Sequence, residues 1–333
     1  MKPLTIIVGT IGQSIMRSTD DGKSWERVGP RRGFPYEALV RCLAVHPHEP
    51  HILFAGTERG LYRSDDAGER WRLVDSALNP FYIWSLAIDP IDPEVMFAGT
   101  GTPTPAMIFR STDAGNSWEK RPVEVADKCE NVGTPRVTGI AIDPEDPRNV
   151  WMGLEVDGAR RSTDRGETWS HVDLPIQQAD IHNIAVTSGR PKSVFIVANR
   201  EIYKSTDDGA TWEGLGMQKN IPWEYPRSQN YLRGIAVQAS HPALLFLGIG
   251  DATPGTAGGI ARSKNLGAGW EILPLPVQPN STVWTFGTHS ADPNIIFAAS
   301  RFGYLYRSDS GGDSWTKLQR ELSEIAAVRW LPG

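Results

Sequence analysis

The stretch RSTDDGKSW, residues 17–25, reads S-x-D-x-G-x-x-W from its serine onward, and it does not stand alone. RSDDAGERW (63–71), RSTDAGNSW (110–118), RSTDRGETW (161–169) and KSTDDGATW (204–212) repeat it in full. RSKNLGAGW (262–270) and RSDSGGDSW (307–315) repeat it with one substitution each. The opening serines fall at 18, 64, 111, 162, 205, 263 and 308, a spacing of 43–58 residues. That period fits a four-stranded propeller blade. The segments between copies are short apolar runs cut by Gly and Pro, the grammar of strands rather than helices.

Residues 40–75 spell out one repeat. VRCLAVH alternates, HPHEP turns, HILFAGT is a continuous apolar run, GLYRS is a third strand, DDAGE a tight loop and RWRLVD an outer strand. These are strands A to D, from the channel outward. The first copy lacks strand A, because the chain begins with TIIVGT (5–10), a B strand. EIAAVRW, residues 324–330, has the A pattern and follows the last copy. Pairing it with the first blade closes the ring and removes the open edge between the chain ends. The expected fold is all-β: a seven-bladed β-propeller of four-stranded antiparallel blades, closed by strand 324–330, with residues 1–333 as a single domain.

The two adjacent acids of the motif invite a catalytic or calcium-binding reading. That reading fails on the copies themselves: the second acid becomes Ala114 and Arg165, and Asn265 and Ser310 replace the first. Asn or Ser can cap a turn but cannot replace a catalytic carboxylate. The turn glycines supply positive φ, the Asp side chains accept turn N–H groups, and the Trp offers apolar area between blades.

S-x-D-x-G-x-x-W resembles the Asp-box, or BNR, repeat over the whole chain. The resemblance implies a propeller like those of bacterial sialidases, xyloglucan hydrolases, sortilin-type receptors and the photosystem II stability/assembly factor, and the chain looks most like the last. Such relatives differ in activity, so the motif speaks to fold rather than function. Sialidases carry an F/Y-R-I-P stretch near the N-terminus, for which GPRRGFPYE (29–37) is no match. The xyloglucan hydrolases use a cleft between two propellers, and these repeats make only one.

A net charge of -5 and a pI of about 5.8 give no reason to expect nucleic acid or membrane insertion. Cys42 and Cys129 are too few for a disulfide framework, no Cys/His spacing suggests zinc, and no metal or cofactor is expected. The N-terminal MKPLTIIVGT is too short for a signal peptide, so a cytoplasmic setting is the expectation.

In an A-B-C-D blade the motif turns share one face with the A–B turns, including HPHEPH (46–51), whose three histidines read as a solvated hairpin. Length variation lies on the opposite, upper face, in crossovers 29–40, 119–137 and 213–232 and loops 99–108 and 248–260; insertions on one face of a repeat ring mark the binding face. Aligning the A strands places Arg41, Trp84, Thr138, His182, Arg233, Trp284 and Glu324 at one position near the channel mouth. With Arg136, Arg59, Arg301 and Tyr231, the residues Arg41, Trp84, His182, Arg233 and Trp284 form the expected ligand-binding set, joined by Trp223, Glu224, Tyr225 and Arg227 of the long crossover. Guanidinium forks beside aromatics suit oxyanions. The expected function is recognition of an anionic small molecule or a protein partner by a binding or assembly-type protein. The alternative is a non-sialidase glycoside hydrolase or lyase, with Glu58, Glu155, Asp157 and Asp251 as candidate catalytic carboxylates. Cys129, beside Lys128, is a weaker candidate nucleophile.

Overall fold

The second strand of five repeats is buried along its whole length, as in Leu53–Thr57, Met96–Thr100, Val150–Leu154 and Val194–Ala198. Such runs need cover on both faces, and neighbouring blades provide it. The computed structural model describes residues 3–129, 133–175, 180–220, 230–238 and 240–333. Among these residues the chain forms seven four-stranded antiparallel sheets with almost no helix.

Blade 1 is assembled from both ends of the chain. Ile325–Leu331 pairs antiparallel with Thr5–Thr10, setting Ile6 opposite Trp330 and Val8 opposite Val328, and Ile15–Ser18 and Glu26–Val28 follow outward. Blades 2 to 7 follow in sequence order, their inner strands being Cys42–Val45, Ile83–Ile88, Val137–Ile142, Ile181–Val186, Tyr231–Gln238 and Val283–Gly287.

The repeated motif works as a clasp. In blade 3 the Ser111 hydroxyl donates to Asp113 Oδ1 (2.8 Å), while the Gly115 N–H donates to Ser111 Oγ (2.9 Å). The Ser117 N–H donates to Asp113 Oδ1 (2.8 Å), and the Trp118 indole donates to the Gly115 carbonyl (3.0 Å). The substituted copies keep the key bond: Gly269 N–H reaches Asn265 Oδ1 and Ser314 N–H reaches Ser310 Oγ, both at 2.9 Å. Gly115 has φ +81° and follows Ala114 at φ +54°, so the turn takes two left-handed residues in succession. Each clasp Trp enters the cleft toward the preceding blade. Trp169 meets Phe97, Trp212 meets Trp151 and Trp315 meets Phe246, edge to face at 5.8–6.4 Å. Seven apolar clusters lie between the blades in this way. The clasp also docks on the A–B turn of its own blade, as Ala67 N–H on the His51 carbonyl (2.8 Å) and Ala114 N–H on the Glu94 carbonyl (3.0 Å), which puts both turns on the lower face.

Candidate functional site at the propeller mouth

The inner strands do not run in clean register to the upper face. Pairing slips between Ile83 and Ser85, Val137 and Gly139, Ile181 and Asn183, Leu232 and Ile235, and Val283 and Thr285. The residues inside these irregularities are Trp84, Thr138, His182, Arg233 with Gly234, and Trp284. A bulge re-aims a side chain that strict alternation would bury between sheets. Here it releases Trp84, Thr138, His182, Arg233 and Trp284, from blades 3 to 7, to the channel.

Above it opens a cavity of about 720 Å³, lined by Arg41, Trp84, Arg136, Glu155, Asp180, Asn199, Arg200, Asn230, Tyr231, Arg233, Asp251, Ala252, Thr253, Trp284 and Arg301. Two guanidinium–indole stacks dominate it. Arg41 and Arg136 lie over Trp84 at 4.3 and 4.6 Å, and Arg233 and Arg301 over Trp284 at 4.0 and 4.5 Å. Trp84 sits tightly: a Cβ on Gly101 would fall 2.1 Å from its Nε1. Arg41 Nε donates to the Tyr82 hydroxyl (2.7 Å), and Arg301 pairs with Glu324. Burial pulls Arg301 down to about 10, with Glu324 opposing and the like charges of Arg41 and Arg233 adding to the pull; it stays cationic at neutral pH.

Two carboxyl groups of the cavity are driven in opposite directions. Glu155, in the turn after Val150–Leu154, is paired with Arg136; burial nevertheless raises its pKa, outweighing Arg136 and Arg233. Asp180, just before Ile181–Val186, is also penalised by burial, but His182, Arg233 and Arg136 outweigh that and hold it below the usual carboxylate range. Its Oδ2 lies 3.2 Å from His182 Nε2, and its Oδ1 is buried without a hydrogen-bond partner. His182 is itself buried beneath the cavity, with Nδ1 2.6 Å from the Leu232 carbonyl and Nε2 3.3 Å from the Tyr231 hydroxyl. Arg233 Nη1 donates to that hydroxyl at 3.4 Å. A carboxyl with a raised pKa sharing a cavity with one whose pKa is depressed is the arrangement that divides acid from base.

Of the expected ligand-binding set, Arg41, Trp84, Arg136, Tyr231, Arg233, Trp284 and Arg301 meet at this cavity. His182 lines the narrower channel below it. Arg59 stands outside, exposed and paired with Glu58 at 3.2 Å. The four candidate carboxylates separate. Glu155 reaches the cavity unencumbered by backbone bonds. Asp251 lines it too but is spent on its own loop, accepting from the Thr256 N–H, the Thr256 hydroxyl and the Ala257 N–H. Glu58 lies away from the cavity and accepts the Leu39 N–H (2.8 Å). Asp157 lines a separate side cavity, paired with Arg160 at 3.0 Å. Cys129 is not activated: burial first, then Glu155, raises its thiol, and burial pushes Cys42 up to about 12. Trp223, Glu224, Tyr225 and Arg227 lie outside the described residues. Asp180, Asn199 and Asn230 are the cavity residues that the sequence reading passes over. For Asp180 a signal existed, since D-I-H at 180–182 alternates and places Asp180 on the face of His182.

No family model matches the chain. In sequence it is 28% identical over 278 residues to the xyloglucanase Xgh74A of Acetivibrio thermocellus, covering 69% of this chain and 32% of the relative. Other curated relatives are also xyloglucanases, and the chain spans roughly a third of their length. Among solved structures it resembles the GH74 xyloglucanase of Xanthomonas campestris, with a TM-score of 0.66 and 19% identity over 95% of this chain and 47% of that one. It also resembles YCF48 from Cyanidioschyzon merolae, with a TM-score of 0.57 and 15% identity over 85% of each chain. The chain is glycosyl hydrolase-like. This corrects the expectation of a binding or assembly-type protein in favour of its glycoside hydrolase alternative: the likeness to YCF48 reaches the propeller fold alone, whereas the sequence relatives are xyloglucanases.

Proposed function

We propose that the chain acts as a glycoside hydrolase on a β-linked glycan laid across the propeller mouth, with Glu155 as proton donor and Asp180 as the ionised carboxylate. The observation that carries this reading is the pair itself: two carboxyls in one cavity, one raised by burial and one depressed by cations and His182. Hydrolysis needs that division of labour. Glu155 gives its proton to the glycosidic oxygen as the bond to the anomeric carbon breaks. A water attacks that carbon, and Asp180 takes the proton the water loses. The products are two chain ends, each with a hydroxyl. Asp180 lines the cavity with its side chain partly exposed, so its carboxylate is the acceptor available to such a water. His182 positions Asp180 from below, and the Asn199 and Asn230 amides line the cavity as partners for sugar hydroxyls. The xyloglucanase relatives support the choice of glycan and make xyloglucan the first substrate to test.

The test is release of new reducing ends from xyloglucan and a panel of other β-glucans by the wild type, Glu155→Gln and Asp180→Asn. Loss of a general acid costs about 10²–10⁴-fold, so each variant is expected to fall by that order at unchanged melting temperature. Proton NMR of the first product should show the anomeric configuration inverted. Turnover by Glu155→Gln at the wild-type rate, or no turnover of any glycan by the wild type, overturns the proposal.

A further inference from the structure

The cavity carries more positive charge than hydrolysis requires. Five guanidiniums line it against three carboxyls, in a chain whose net charge is -5. One of those carboxyls, Asp251, is bound to its own loop, and another, Glu155, is covered by Arg136. Among the described residues, neither Arg41 nor Arg233 forms an ion pair, although Arg136 and Arg301 beside them each have a carboxylate partner. Arg41 and Arg233 are instead steadied by phenol oxygens, those of Tyr82 and Tyr231, and by the indoles of Trp84 and Trp284. Arg233 is nevertheless almost wholly buried, at 9% exposure. Asp180 and Glu155 lie within its field, but among the described residues no carboxylate is in ion-pair contact with it, so its desolvated fork keeps hydrogen-bonding capacity for a ligand.

The aromatic surface points the same way. Neutral sugars are gripped by bare aromatic faces, but here each indole is already overlaid by two guanidiniums. What the mouth presents to a ligand is therefore cationic forks with their planes held by stacking. Such forks bind oxyanions bidentately and lose little freedom in doing so.

We propose that the subsite between Arg41 and Arg233 binds the oxyanion of an acidic sugar, so that the glycan taken by this propeller carries a uronate or a sulfate ester. The inference rests on the hydrolase reading only for the saccharide that bears the anion. It makes the substrate different in charge from xyloglucan: the anion seats against Arg41 and Arg233, which have no ion pair among the described residues, and places the neighbouring glycosidic bond over Glu155 and Asp180.

The test is titration calorimetry on Glu155→Gln, so that bound glycan is not consumed. The probes are a glucuronate-bearing xylo-oligosaccharide, the same oligosaccharide with its carboxyl reduced to the alcohol, and a sulfated oligosaccharide of equal length. Charge-assisted bidentate pairing is expected to make an acidic probe bind about tenfold or more tightly than the reduced one. Which acidic probe binds tighter identifies the oxyanion. Arg233→Met and Arg41→Met should each abolish the preference. Should either variant fold poorly, the salt dependence of the parent serves instead: affinity for the acidic probe falls with added NaCl while that for the reduced probe stays level. Equal or tighter binding of the reduced oligosaccharide overturns the inference and leaves the hydrolase reading standing if xyloglucan is still cleaved by the wild type. Tight, salt-sensitive binding of an acidic probe with no glycan cleaved by the wild type sinks the hydrolase and keeps the anion site.

Discussion

Arg136 is the partner whose removal tests the assignment of Glu155 most sharply. Its guanidinium is in direct contact with the Glu155 carboxylate and lies 4.6 Å over Trp84. Methionine keeps an unbranched stem against the indole and removes the charge. A unit charge pair at contact with an effective dielectric of ~20 interacts by up to ~4 kcal/mol, or about three pH units, and adjacent cations are found to depress carboxyls by about one to three. Burial has already raised Glu155 and Arg136 is the first group opposing it, so Arg136→Met raises it further. A proton donor works only while protonated, so activity is lost as pH rises through this pKa. The alkaline limb of kcat/KM should therefore move up by about one to three pH units. The acid limb reports Asp180, which must be ionised and fails as pH falls through its depressed pKa. Arg136 ranks behind His182 and Arg233 among the groups lowering Asp180, so this limb should move up by less. Initial rates on the cleaved glycan from about pH 3 to about pH 10 measure both limbs. An alkaline limb that stays fixed or moves toward acid refutes Glu155 as the titrating donor.

Three further outcomes follow from the geometry. Asp113→Ala removes bonds to Ser111 Oγ, Ser117 N and Ser117 Oγ at 2.8, 2.8 and 2.6 Å; at a partly exposed site that is worth about 1–2 kcal/mol, or a fall of about 1–3 °C by calorimetry for a chain of this size, with kcat unchanged. Hydrogen bonds from Ser24 and Thr211 hold Asp20 and Asp207 at about 2, below the usual carboxylate value; their stabilisation is complete above about pH 4 and lost as pH falls toward 2, so melting temperature against pH should fall less steeply there in Asp20→Asn/Asp207→Asn than in the wild type. Gly101→Ala drives a methyl into Trp84, and the overpacking strain of about 1–3 kcal/mol should appear as a loss of kcat/KM about tenfold or more while the clasps and melting transition remain cooperative; full activity in this variant means the Arg41–Trp84–Arg136 stack does not set the mouth.

The fold was legible because it is written seven times. Ser111, Asp113, Gly115 and Trp118 each do one local job, and a substitution such as Asn265 or Ser310 leaves that job intact, so a sequence period translated directly into blades. Much of the mouth was legible for a related reason: aligning the inner strands exposed a column that the repeat leaves unconstrained, and Arg41, Trp84, Arg233 and Trp284 stand in it. The carboxylates were not legible by the same route. Asp157 and Glu155 are two residues apart in the same turn, yet one reaches the central cavity and the other a side cavity. Asp251 reaches the cavity but its own loop consumes it. Strand alternation predicts neither, because these residues sit in turns whose direction is decided by Arg136, Arg160 and Thr256. Asp180 escaped because it precedes its strand and belongs to no repeated position.

The placement of the two carboxyls explains why one propeller mouth can hold an acid and a base at all. Glu155 comes from the B–C turn of blade 4, and Asp180 from the crossover that opens blade 5. Both kinds of connection end on the upper face, so residues 25 positions apart in the chain line the same cavity without any long-range loop. Each is then tuned first by a residue of its own blade. Glu155 takes its cation from Arg136, at the start of its own inner strand and bonded to it through the Glu155 N–H and the Arg136 carbonyl (3.0 Å). Asp180 takes His182 from its own strand and Arg233 from blade 6. The bulges make this possible, since without the register slips at Ile181/Asn183 and Leu232/Ile235, strict alternation would turn His182 and Arg233 between the sheets and leave Arg136, the weakest of the three groups, to oppose burial at Asp180. Burial raises Glu155 even with Arg136 in contact, so Asp180 in that condition would move upward too and the mouth would lose the contrast between its two carboxyls.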